Sequence, residues 1–539
     1  MRPFLTLHHP AQALRYYEQG RWRADTFYAL LARHAAERPL AIALQDGRRA
    51  LSWAELLRWV DAAAADFRAR GLVGGDRLSL WMSNRAEAIV SFLACAREGL
   101  ACNPSLHRSH SWSEIGNLLE RLSARGLVTE PGWGAERTPV DTDNLAAKIS
   151  SLKAVYDLER FPSTGANDHV PCADPDRVVY LAFTSGTSGT PKCVMHSHNT
   201  LLANARDLVA DWGHGPETVL LSLSPLSHHI AWVGVAQWLL AGCRFVCNDP
   251  PAGRSALDWI IETGATYVMG VPTHAMDVLA QQRARRLPRL GRVSLFYLAG
   301  APIPPSLAAA FVAQGITPQN VYGMTENSSH QYTHPNDATP TIVGTCGRGG
   351  ASYEIRLFDP ANRDSEVGAG EVGEIGGRGA ALMLGYFDNQ GATEDSFNRH
   401  GWFMSGDLGS LDERGNLKVE GRLKDLIIRG GHNIYPSHIE ALALRHQQVG
   451  RVACFAVADA RLGERVCLAV SGNVAAQDLL DHLGREGLSK YDMPEYFVRL
   501  EQFPLTASGK ILKRELAEMV KRGELLPEPI RYQAKKGEA

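Results

Sequence analysis

The stretch Thr184-Ser-Gly-Thr-Ser-Gly-Thr-Pro-Lys192 sets nine small, hydroxylated or Pro/Lys positions directly after an apolar run. A turn of that make-up offers backbone N–H groups and hydroxyls to phosphate oxygens, and its lysine adds positive charge. A helix N-terminus behind the turn would strengthen the same field. The spacing of Gly186, Gly189 and Lys192 is not that of the GxxxxGK[ST] loop, and Pro191 stands where that loop has glycine. An ordinary P-loop nucleotide hydrolase is therefore disfavoured.

Other side chains suited to chemistry are spread along the chain. Thr325 and Glu326 close NVYGMTE, Asp407 lies in GWFMSGDLG, and Lys510 ends PLTASGK. Taken singly, each has an ordinary reading. A tyrosine in an apolar turn is core, a lysine beside glycine is a solvated charge, and an aspartate after glycine is a turn residue.

Elements must position these groups. Trp53–Leu72 and Glu87–Leu100 carry apolar residues at helical spacing, and Asp76–Met82 between them reads as a strand. Such alternation predicts a parallel sheet covered by helices. Arg177–Phe183, Ala265–Val271 and Val293–Gly300 read as further buried strands, and the α/β texture persists from Val219 to Asn320. From Thr345 to Val419 short strands and frequent glycine indicate a small all-β region. The last hundred or so residues read as a compact α+β unit with its own core. Charge and glycine cluster at Gly421–Gly431, which gives an N-terminal domain of residues 1–424 and a C-terminal domain of residues 425–539.

The chain has 539 residues, enough for about two to four domains. It is 45% hydrophobic and 21% charged with a formal net charge of −2, so no general attraction to nucleic acid or acidic membranes is implied. The nine cysteines form no CxxC and no cluster with histidine at metal spacing, which suits free thiols in a reducing cytoplasm. The N-terminus shows no apolar signal segment. The apolar stretch Ile230–Gly242 is too short to span a bilayer.

The opening motif resembles the phosphate-gripping loop of the ANL adenylate-forming superfamily, which includes acyl- and aryl-CoA synthetases, peptide-synthetase adenylation domains and beetle luciferases. Five further stretches resemble that family's motifs in the family's order: LAGAPI (Leu298–Ile303), NVYGMTE (Asn320–Glu326), GWFMSGDLG (Gly401–Gly409), GRLKDLIIRGGHNIYPSHIE (Gly421–Glu440) and PLTASGKILKREL (Pro504–Leu516). Each is weak alone, but six in order are specific and cover nearly the whole chain. The resemblance implies an α/β fold: a large N-terminal domain of two α/β subdomains and a small distorted β-barrel, then a smaller mobile α+β domain.

It also implies roles. Thr184, Ser185, Gly186, Thr187, Ser188, Gly189 and Lys192 would hold the ATP phosphates. Gly300, Ala301, Pro302, Asn320, Tyr322 and Gly323 would line the adenine side. Thr325 would bond the α-phosphate, and Glu326 would hold Mg²⁺ through a hard oxygen. Asp407 would accept hydrogen bonds from the ribose hydroxyls, with Arg422 at the same sugar. Lys510 would stabilise charge as pyrophosphate leaves. Asp425 would be the hinge of a swing that presents Gly430 and Gly431 to the pantetheine arm of CoA. Two departures stand out: Ser188 replaces the family's usual threonine and Cys193 its usual glycine.

The segment Leu223–Gly234 takes the place of the acyl pocket and holds no acidic residue, so an α-amino acid is not expected. His228, His229, Trp232, Val271, Gly323 and Met324 would form an apolar pocket, with His228 as gate or wall. His229 reads equally as a satisfied core histidine. The lean is towards an alicyclic, aromatic or medium-chain acid. The expected activity is AMP-forming acid–CoA ligation, using ATP, Mg²⁺ and CoA. The alternative is an aryl-acid adenylating enzyme that loads a separate carrier protein. The PxxxxGK context of Lys510 adds a lysine acetyltransferase as a partner, and a homodimer is left open.

Overall fold

Runs such as Val178–Phe183 carry no polar alternation, the mark of strands covered on both faces. The computed structural model describes residues 9–136, 148–184, 191–505 and 511–532. Two compact units emerge: Met1–Glu354 with Arg378–Phe397, and Ile355–Gly377 with Asn398–Ala539.

The first unit holds two sheets. In one, seven strands run in the order 385–386, 192–197, 178–184, 101–103, 77–81, 126–129 and 154–157. Here β1 is Val178–Thr184 and β2 is Lys192–Ser197, an antiparallel pair with Thr184 opposite Lys192. The glycine-rich stretch thus connects the two strands of a hairpin, and the chain leaves it as a strand. A helix, α1 (His198–Trp212), starts only after β2. The helix N-terminus expected behind the loop is therefore displaced by six residues of strand, because Cys193, Val194 and Met195 bury their apolar side chains in the sheet.

The second sheet has eight strands in the order 328–332, 317–324, 295–299, 267–270, 219–222, 244–247, 42–45 and 50–52. Its interior pairings are parallel and its two outermost pairings antiparallel. One helix of this unit, α2 (His229–Ala241), is apolar on every side and accordingly buried all round: Trp232, Val235, Trp238 and Leu239 are at most 1% exposed. The largest apolar cluster joins residues of both sheets, such as Tyr180 and Met269, with α2 and the helices Trp53–Ala69 and Ala86–Glu98. Of the strands in these two sheets, Thr317–Met324 is β3, Ser328–Tyr332 is β4, and the two-residue Gly385–Tyr386, which pairs with β2, is β5.

In the second unit, the region expected as a small barrel is a five-stranded sheet in the order 362–366, 353–359, 373–379, 403–411, 417–422. Its last two strands are β6 (Phe403–Leu411) and β7 (Leu417–Arg422). The hairpin β8 (Ile427–Arg429) and β9 (His432–Ile434) and the helix α3 (Pro436–Ala443) come next. The C-terminal part also holds the long pair β10 (Val449–Asp459) and β11 (Gly463–Gly472), the helix Ala476–Arg485, the strands Tyr496–Arg499 and Glu528–Pro529, and the helix α4 (Lys513–Lys521). No helix among the described residues is long and apolar enough to cross a membrane.

Candidate active site

Four mutually parallel strands of the first unit end at the same edge: 219–222, 267–270, 295–299 and β3. The carboxyl ends of parallel strands are where open α/β sheets bind ligands. The residues just past those ends include Leu223–Gly234, Val271, Gly300–Ala301–Pro302 and Thr325–Glu326. Gly300 takes φ +86°, which lets the chain turn sharply off its strand.

Gly323 and Met324 sit at a bulge between β3 and β4. A Cβ on Gly323 would stand 1.7 Å from the carbonyl oxygen of Ser328, so only glycine fits there. The turn from Met324 to Ser328 is pinned inside itself. The Met324 N–H donates to Asn327 Oδ1 at 3.1 Å, and the Asn327 N–H returns to the Met324 carbonyl at 3.2 Å.

A chain of contacts joins the β1–β2 hairpin to this turn. Lys192 places its ammonium 4.6 Å from the centre of the Tyr386 ring. The Tyr386 hydroxyl donates to Glu326 Oε1 at 2.9 Å. Burial, and then the Glu326 carboxylate, push the Tyr386 phenol up, so it remains a donor. The Met383 N–H donates to the Glu326 carbonyl at 2.7 Å and fixes the backbone beside it. Thr184, at the other root of the hairpin, donates its hydroxyl to the Lys192 carbonyl at 3.4 Å. Ser185, Gly186, Thr187, Ser188 and Gly189 lie outside the described residues. Sequence reasoning missed Tyr386, because a lone Gly-Tyr pair in a two-residue strand carries no period or motif of its own.

Tyr322, expected at the adenine side, is 9% exposed, with its ring edge-on to His330 at 5.4 Å. The Asn320 amide donates to the carbonyls of Ile342 and Thr345 at 3.1 and 2.8 Å, so it organises the chain beside the site. Among the residues expected at the acyl pocket, Trp232 is buried in the core. It is 1% exposed, donates its indole N–H to the Leu226 carbonyl and packs on Phe92 and Tyr180. His228 stacks on His107 with ring centres 4.5 Å apart. His229 has both ring nitrogens engaged, by Ser328 Oγ at 3.0 Å and the Tyr180 hydroxyl at 3.3 Å.

In the second unit, Asp407 on β6 faces Arg422 on β7, with Oδ1 3.4 Å from Nε. The turn before Asp407 is held by buried Glu374, whose Oε1 accepts the Gly406 N–H at 3.1 Å. Burial, opposed by Arg363, pushes the Glu374 carboxyl up. Asp425 ends the single turn Leu423–Asp425. Gly430 and Gly431, at φ +59° and +87°, form the two-residue turn of the β8–β9 hairpin. That turn type requires glycine-like φ at both positions, a reason for the pair independent of any ligand.

Lys510 lies outside the described residues. The chain on either side is clamped: Leu505 pairs with Ile511, and the Leu512 N–H donates to the Pro504 carbonyl at 2.9 Å. Lys513 then reaches Glu440 Oε1 at 2.7 Å, and the same oxygen accepts the Cys454 N–H. Burial works against the Lys513 charge, but Glu440 outweighs it and raises its pKa. This partly buried pair ties α4 to α3 and β10.

Comparison with known proteins identifies relatives along nearly the whole chain. Residues 31–387 match the family model described as AMP-binding enzyme, and residues 438–510 match the AMP-binding enzyme C-terminal domain. A medium-chain fatty-acid–CoA ligase of Escherichia coli K12 is 30% identical over 95% of this chain and 93% of its own length. Pyochelin synthase PchD of Pseudomonas aeruginosa is 30% identical over 94% of this chain and 95% of its own. The o-succinylbenzoate CoA synthetase of Bacillus subtilis, solved with its acyl-adenylate intermediate, superposes with a TM-score of 0.80 at 26% identity, covering 91% of this chain and 98% of that one.

Proposed function

The chain belongs to the AMP-binding enzyme family and is an AMP-forming acid–CoA ligase that uses ATP and CoA, and from that premise we propose how its residues divide the two half-reactions. The observation that supports the reading most is the line Lys192–Tyr386–Glu326, set beside Thr325 at the carboxyl end of a parallel strand. It brings a cation, a hydroxyl donor and a carboxylate to one edge, as a triphosphate needs.

In the first half-reaction, the 184–192 hairpin and Lys192 hold the β- and γ-phosphates, and Thr325 orients the α-phosphate. Glu326 supplies one carboxylate oxygen for Mg²⁺. The residues fit the ion, because Mg²⁺ takes one or two carboxylates and fills its shell with phosphate oxygens and water. The ion supplies charge neutralisation at the phosphates. Asp407 and Arg422 hold the ribose, and Tyr322 lies against adenine. Lys510 stabilises the charge that develops as the carboxylate attacks phosphorus and pyrophosphate departs.

In the second half-reaction, the part beyond residue 424 pivots at Asp425, removes Lys510 and brings Gly430–Gly431 to the CoA thiol. Two placements of one domain let one site serve two transition states. The acid is alicyclic, aromatic or medium-chain. The absence of an acidic residue in Leu223–Gly234 argues against a substrate ammonium. Nine cysteines, all free, support a reducing cytoplasmic setting. We also propose Lys510 as the target of a lysine acetyltransferase, since acetylation removes the charge that adenylation uses. A homodimer is the assembly state to test alongside.

The experiment is to separate the half-reactions in Lys510→Ala. Adenylate formation is expected to be lost, while thioester formation from supplied acyl-adenylate persists. Equal loss of both would refute the division of labour.

A further inference from the structure

Two stacked imidazoles support the turn that carries Thr325 and Glu326. His196 comes from β2 and His229 opens α2, with ring centres 5.5 Å apart and planes 21° from parallel. His196 Nε2 lies 2.6 Å from the carbonyl oxygen of Thr325. A carbonyl only accepts, so Nε2 carries the proton, and Nδ1 is left to accept from the Thr200 hydroxyl at 3.0 Å. His229 Nε2 lies 3.0 Å from Ser328 Oγ, with Tyr180 on its other nitrogen. Ser328 has φ +57°, a left-handed conformation that a non-glycine residue keeps only where its surroundings hold it. One imidazole therefore grips each end of the turn, and Met324 and Asn327 pin its middle.

The origins of the two rings matter. His196 lies on the strand that begins with Lys192, so the phosphate hairpin and the Thr325 turn share one rigid support. His229 comes directly after the acyl-side segment, so the start of α2 is tied to the same turn.

We propose that His196 and His229 are positioning residues, a two-histidine clamp that sets the Thr325–Glu326 turn for adenylation and not for thioester formation. The inference rests on the roles proposed for Thr325 and Glu326 in adenylation. The clamp acts through the turn, and neither ring needs to touch the phosphates. Both stay neutral, as donors and acceptors of fixed direction: burial holds His196 down to about 4, and burial followed by His196 holds His229 well below the usual range.

Three variants test the clamp: His196→Phe, which keeps a ring and loses the donor; His196→Gln, whose amide nitrogen restores a donor to the Thr325 carbonyl; and Ser328→Ala, which removes the partner of His229. Adenylate formation is measured in single turnover, and thioester formation from supplied acyl-adenylate is measured separately. A misplaced turn is expected to slow adenylation about 100-fold in His196→Phe and about 10-fold in Ser328→Ala, with little change in the KM for the acid. His196→Gln is expected to recover most of the loss. Thioester formation is expected to stay at the wild-type rate in all three, which also shows that they fold. Wild-type adenylation in His196→Phe, equal loss of both half-reactions, or a His196→Gln no better than His196→Phe overturns the clamp. Should His196→Phe fail to fold, undiminished adenylation by Ser328→Ala overturns it. Wild-type protein that adenylates no acid overturns the functional reading itself, and the clamp with it.

Discussion

Gly323 is the residue with the least freedom in the site. An added methyl would meet backbone, the Ser328 carbonyl, and no side-chain rotation relieves that contact. Gly323→Ala is therefore expected to displace the Thr325 turn and reduce adenylation about 100-fold. Single-turnover adenylation reads this directly, and a variant with undiminished rate would show that the turn tolerates displacement. At this scale Lys192, Thr325 and Glu326 were singled out by motifs that resemble the family's, and the structure links Lys192 to Glu326 through Tyr386. Tyr386 and His196 were not legible. They meet Glu326 and Thr325 across 60 and 129 residues of chain, and no local spacing encodes such a meeting. Trp232, expected at an apolar pocket, is buried among core side chains at 1% exposure, a degree of burial that its sequence segment did not reveal.

Among the elements, the hairpin of β1 and β2 differs most from expectation. Glycine-rich phosphate loops that end on a helix use its N-terminal N–H groups, and here β2 intervenes. On the proposed reading, phosphate binding would draw on Lys192 and not on a helix N-terminus. The run Cys193–Met195 was the available signal, three apolar residues where an amphipathic helix would show a polar face. The C-terminal part was legible as an α+β unit with its own core, and the structure builds it of strands and helices. What periodicity could not show is the tie between them, Lys513 to Glu440. Removing one partner of this partly buried pair leaves the other without its charge partner, so Lys513→Met is expected to destabilise the C-terminal part by about 2 kcal/mol. A companion Glu440→Leu should recover part of that loss. Denaturant unfolding of the single and double variants measures both. A stable single variant would mean that the pair does not anchor the helix behind the Lys510 loop.

For the whole molecule, alternation of helices and strands predicted the large α/β part and a separate α+β end. It did not predict that residues 378–397 return to the first unit after the chain has left it, since that depends on the pairing of Tyr386 with Val194. Burial also couples the stability of the whole fold to pH. His107, His196, His198 and His330 are held neutral mainly by burial, to about 3, 4, 3 and 3. Unfolded, these histidines titrate near their ordinary value of about 6.5. Below that value the unfolded chain binds more protons than the folded one, so stability falls as pH drops from about 6.5 towards 4 and is insensitive to these groups above that range. Melting temperatures across that interval should decline steadily. A flat profile would mean that the histidines are more accessible to protons than their burial indicates.

The most direct test of the central claim is Mg²⁺-dependent AMP release across a panel of carboxylic acids, with and without CoA. The panel spans cyclohexanecarboxylate, benzoates, dihydroxybenzoate and short- to medium-chain fatty acids. Sustained turnover with one class of acid, only when CoA is present and with an acyl-CoA product, is the expected result. Adenylate that accumulates and is left untouched by CoA would contradict it, and would assign the thiol to a separate carrier protein.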